Sequence, residues 1–108
     1  MSVDYTARLV AGYILPHTKY KEAVENAIAA GFAAGVVENN IEKLDEYKVN
    51  SDYILSSDWY AVAGPGEANR IRPIPTEEDM HPHEMIKRMA IAMGIKNSYN
   101  LYLMLRVW

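Results

Sequence analysis

The chain has 108 residues, with 11 Lys and Arg against 14 Asp and Glu, a formal net charge of −3 and no cysteine. Half of its residues are hydrophobic, which excludes a disordered, highly charged chain, and the length suits one domain, residues 1–108, burying roughly two-thirds of its unfolded surface. The missing cysteines exclude disulfide frameworks, zinc knuckles and thiol nucleophiles, and the acidic balance excludes a generic basic binder of nucleic acid or membrane surfaces.

The opening Met1-Ser2-Val3-Asp4-Tyr5 has neither a basic nor an apolar leader region. The most apolar stretch, Ala23 to Val37, carries Glu25 and is too short to span a bilayer. A cytoplasmic protein is the expectation.

Residues 3–15 alternate, with Val3, Tyr5, Ala7, Leu9 and Ala11 on one parity and Asp4, Thr6, Arg8 and Val10 on the other. That period predicts a half-buried strand, ended by Pro16, with Thr18 as the N-cap of a following helix. Tyr20, Val24, Ala27, Ile28 and Gly31 then fall at helical spacing. A second stripe, Val37, Ile41 and Leu44, lies on another face, and Asn39 with Glu42 three residues on resembles a fresh helix start. The spacing predicts one bent helix or two consecutive helices over 18–48.

Residues 52–63 are rich in strand formers and end at the Gly64-Pro65-Gly66 turn, after which 70–74 alternate again, the pattern of a hairpin with a long loop. Pro73 and Pro75 shorten the second arm. A helix opening between Thr76 and Pro82 follows, its apolar stripe made by Met85, Ile86, Met89, Ala90 and Met93. Gly94 and Ile95 form its stop, and residues 101–108 form a terminal strand. The order β-α-β-β-α-β is that of the ferredoxin-like plan, an α+β fold with a four-stranded antiparallel sheet and helices on one face. Its central pair is the first and third strands, and the fourth flanks the first.

Strand parity sorts the charges. Four of the five arginines, Arg8, Arg70, Arg72 and Arg106, fall on the parity expected to face away from the helices, together with Tyr102 and Trp108. Planar guanidinium forks suit carboxylate or phosphate, and the aromatic rings suit stacking on a ligand or partner. Asp4, Asp52 and Asp58 share that parity, so cross-strand ion pairs are the competing reading. A β-bulge around Ser56-Ser57 would turn part of its strand over. RNA recognition is disfavoured, because the 70–74 strand has no aromatic residue for base stacking.

Other motifs carry less. His81-Pro82-His83-Glu84 and His17 match no metal signature, and the expected topology sets His17 at the opposite end of the sheet from the other two, so neither metal nor cofactor is expected. Gly64 to Glu67 lacks the Gly-Lys-Ser/Thr of a phosphate loop. The small residues from Ala23 to Gly35, and Met80 with Met85, Met89 and Met93, suit internal packing. No nucleophile elbow and no paired acid with a general-acid partner is present, so catalysis is not expected.

The opening SVDYTARLVAGYIL, the central SDYILSSDWYAV and the closing AMGI with LYLMLRVW resemble, in element order and texture, small α+β proteins of unknown function encoded by tailed bacteriophages. That resemblance implies an accessory protein in an infected bacterial cytoplasm, acting on a host protein or a small signalling molecule, and it transfers no functional residue. The expectation is a non-enzymatic interaction module that binds a host protein or sequesters a small ligand. The alternatives are a homo-oligomer assembled through the open sheet face or C-terminal strand, and an anion- or nucleotide-binding protein built on the strand arginines.

Overall fold

The computed structural model describes residues 5–45, 48–64, 70–73, 75–76 and 78–107. Expectations for Asp4, Pro65, Gly66, Ile74 and Trp108 lie outside the described residues, as do those for the side chains of Asp58, Arg70 and Arg106. The elements are β1 (Tyr5–Leu15), α1 (Tyr20–Ala29), α2 (Ala34–Asn39), β2 (Ile41–Lys43), β3 (Tyr53–Ala63), β4 (Arg70–Ile71), α3 (Glu84–Met93) and β5 (Asn100–Val107). They form an antiparallel sheet of five strands in the order β2-β3-β1-β5, with β4 added to β3.

Four strands were expected, and the fifth comes from a segment read as helix. Residues 18–48 hold two helices that end at Asn39, and Ile41 to Lys43 pair with Leu55, Ile54 and Tyr53. The Asn39-Asn40 pair closes a helix instead of starting one, since the Asn40 amide donates to the Val36 carbonyl at 2.8 Å. Ile41 then loses its helical spacing to a cross-strand contact, a tertiary effect that a stripe of residues does not encode. The chain enters α1 through a 3-10 turn over His17–Lys19. Thr18 therefore lies inside that turn, and Lys19 occupies the α1 N-cap.

Two further corrections concern the second half. Among the described residues of the expected 70–74 strand, Arg70 and Ile71 pair, and they do so on the outer side of β3. The central neighbour of β1 is β3, over 53–63, while β5 flanks β1 on its other side as expected. The third helix starts at Glu84, past Pro82, with Met85 exposed, whereas Ile86, Met89, Ala90 and Met93 are buried. It stops where the sequence places its end: Gly94 adopts a left-handed φ of 76°, and the Ile95 N–H reaches the Ala90 carbonyl at 3.0 Å.

The bulge at Ser56-Ser57 is present as a register shift, and a second one follows near Tyr60. Pairing of β1 with β5 is regular, so the extra residues belong to β3. At the first bulge the Ser56 N–H donates to the Asn40 carbonyl at 2.8 Å and its hydroxyl donates to the Ala11 carbonyl. The interrupted ladder thus keeps its backbone partners on both sides.

The main core joins Leu15, Ile41 and Leu55 of the sheet to Ala23 and Ala27 of α1, Val37 of α2, and Ile86, Met89, Ala90 and Met93 of α3. Small residues on α1 let the helix layer approach closely. The Tyr20 and Tyr53 rings stack beside this core, with centroids 4.1 Å apart. Burial pushes the Tyr20 phenol up, helped by Tyr53 and Glu38, and burial does the same to Tyr13. Both groups hold their proton to higher pH in the folded chain than in the unfolded one. Their contribution is full below the unfolded tyrosine value of about 10 and is lost as pH rises through the folded values. The tyrosine contribution to thermal stability should therefore fall as pH rises above about 10, and Tyr20→Phe should lose less over that range.

Candidate binding surfaces of the sheet

The two faces of the sheet follow from β1. Tyr13 and Leu15 meet the helices, so the same parity, Leu9 and Ala11, belongs to the helix side, while Arg8, Val10 and Ile14 belong to the open side.

The open face has an apolar centre where a polar one was expected. Val10, Ile54 and Met104 are buried there, with Trp59, Tyr102 and Leu44 packed against them. Over them lies a cleft of about 210 Å³, floored by Val10, Ile54 and Met104, walled by Trp59 and rimmed by Arg8 and Glu42. Arg8 Nη1 donates to both carboxylate oxygens of Glu42, at 2.9 and 3.2 Å. With 27% and 35% of the two side chains exposed, such a pair is worth about 1 kcal/mol at most. The partner of Arg8 is thus Glu42 of β2, not one of the expected strand aspartates.

Of the expected arginine face, the side chains of Arg8 and Arg72 are described. Backbone register sets Arg8, Val62 and Arg70 in one row, and Thr6 opposite Arg106. Arg72 stacks its guanidinium over the Trp59 ring, 4.3 Å from the centroid. Tyr102 registers with Val10 and packs into the apolar centre. Asp52 holds His17 instead of an arginine, accepting from its backbone N–H at 3.1 Å with the ring Nδ1 at 3.4 Å. Position 58 registers with Ala11, a helix-side position, because the bulge has turned the strand over. Arg8 and Arg72, the two whose side chains are described, have a carboxylate and an indole as neighbours, so among the described strand arginines neither stands bare at the cleft.

The second surface is on the helix side. Leu103, Leu9, Ala61 and Ile71 form one uninterrupted cross-strand row through β5, β1, β3 and β4. Leu103 is 63% exposed and Ile71 79%. The cause is length. An eleven-residue strand such as β1 runs about 36 Å, whereas the ten residues of α1 or α3 give helices of about 15 Å. The helix layer packs on the end near Leu15 and Tyr53 and leaves apolar side chains bare at the other. Sequence reasoning missed both Trp59 and this row. Comparison with protein-family models, with curated proteins and with solved structures finds no match.

Proposed function

We propose that this chain is a non-enzymatic interaction module that docks on a partner protein through the uncovered end of its sheet. The observation that carries this reading is the row from Leu103 to Ile71, four uncharged positions across four strands with large side chains exposed at both ends. Its likeness to small phage proteins makes a bacterial host protein the partner in this reading, and the host cytoplasm the place. The strand order also supports a ferredoxin-like plan. β1 and β2 run parallel on either side of β3, with α1 and α2 between them in sequence. β3 and β5 run parallel on either side of β1, with α3 between them, which makes β4 an addition at the outer side of β3. Arginine-based capture of an anion is the weaker reading, because Arg8 already faces Glu42.

The test compares the wild type with Leu103→Thr plus Ile71→Thr. The folded wild type should enhance the fluorescence of anilinonaphthalene sulfonate, and the double variant should lose most of that signal with its melting temperature nearly unchanged. A photo-crosslinker at Ile71 should also capture a discrete protein from bacterial lysate, while one at Val49, which is 89% exposed at the other end of the sheet, should not. Equal dye signals from two folded proteins, or the same capture at both positions, would overturn the reading.

A further inference from the structure

The two sides of the sheet are finished differently. Among the described residues, the outer side of β3 pairs with β2, three residues with Glu42 and Lys43, and with β4, two residues followed closely by Pro73. Short strands, charges and proline are the devices that keep an edge from pairing with another chain. The other edge is less protected, Arg106 being the single charge of its strand. β5 is eight residues long, pairs with β1 without a register shift, and carries neither charge nor proline from Asn100 to Leu105. Among the described residues its only strand partner is β1.

We infer that β5 pairs with β5 of a second copy of this chain, antiparallel about a two-fold axis, so that two sheets join into one. This rests on the interaction reading above and names the partner for the edge of that surface. Antiparallel strands related by a two-fold axis are self-complementary in their backbone groups. Although each chain has a net charge of −3, an axis at Leu103 registers position 106, the single charge of β5, with position 100 of the copy, an asparagine, so no like charges are set opposite each other. An axis at Leu103 sets Leu103 against its own copy on the helix side and Tyr102 against Met104 on the open side, apolar against apolar on both faces. It also makes the exposed row continuous from Ile71 of one copy to Ile71 of the other.

The absence of cysteine makes the register testable. In Leu103→Cys the two thiols would lie roughly 5 Å apart between Cβ atoms, and a short bis-maleimide should link the dimer. In Ile71→Cys they would be seven strand spacings apart, roughly 33 Å, and no link should form. Sedimentation of the wild type should show a concentration-dependent dimer, and Leu103→Lys should raise its dissociation constant at least about tenfold while the folded circular dichroism persists. Linking at Ile71 as readily as at Leu103 would overturn edge pairing in favour of face-to-face packing. A strictly monomeric wild type that still captures a lysate protein at Ile71 would overturn self-pairing and leave the interaction reading standing. Neither dimer nor capture would remove both.

Discussion

Leu55→Ala should cost about 3 kcal/mol, within the usual range for a large-to-small change in a core. Leu55 has no exposed surface and sits where the layers meet. It registers with Tyr13 on one side and Ile41 on the other, and it shares a cluster with Val37, Ile86 and Met89 from two helices. Two of its neighbours in the sheet are held by backbone pairing, so the void left by the lost atoms has little freedom to collapse. For a domain near this size the loss corresponds to a fall in melting temperature on the order of 10–20 °C. Chemical denaturation with an unchanged slope would measure it directly. A loss below about 1 kcal/mol would mean that the helices are not packed on this part of β3.

Gly12→Ala, a change of one methyl, should cost about 2 kcal/mol or more. A Cβ at this position would lie 2.6 Å from the Leu55 carbonyl oxygen, 2.7 Å from Ile54 Cγ1 and 2.8 Å from Ser56 Cβ. All three belong to the bulged stretch of β3, and the first is backbone that is itself tied into the sheet. The bare Cα of Gly12 is what lets the bulge lean onto β1 and brings the Ser56 hydroxyl to the Ala11 carbonyl. Addition of a side chain must either push the strands apart or undo the bulge. Undoing the bulge would return the rest of β3 to its other parity and unseat Trp59 from the cleft. The expected result is therefore a lower melting temperature together with changed Trp59 emission, and the two should move together. An alanine variant as stable as the wild type would show that the strands do not approach this closely.

Both predictions depend on features that the sequence shows unequally. The long strand β1 was legible from its alternation, β3 from its strand formers and the Gly64-Pro65-Gly66 turn after them, and the end of α3 because Gly94 can adopt a conformation that other residues resist. The bulge at Ser56-Ser57 entered the sequence reading only as a condition that would turn part of β3 over, since Asp52, Ser56 and Asp58 share one parity. Ile41 to Lys43 were not. Three residues are too few to establish a period, and their neighbours Val37 and Leu44 complete an equally good helical stripe. That misreading hid Glu42, and with it the partner of Arg8, because a residue placed on a helix is not looked for at a strand edge.

By itself the sequence determined the class of the fold, the two long strands, the start of the helical region after Pro16, and the absence of the residue types that thiol and zinc chemistry need. Those properties are local: they follow from periodicity, from backbone restrictions at glycine and proline, and from composition. Only the tertiary structure decided which strand lies beside β1, which carboxylate meets Arg8, and which apolar residues stay bare. Leu9 and Leu103 have the pattern of core residues, yet they belong to a sheet whose two longest strands are more than twice as long as its helices. Whether a side chain is covered depends on the length of the layer above it, and nothing in the strand's own sequence encodes that length.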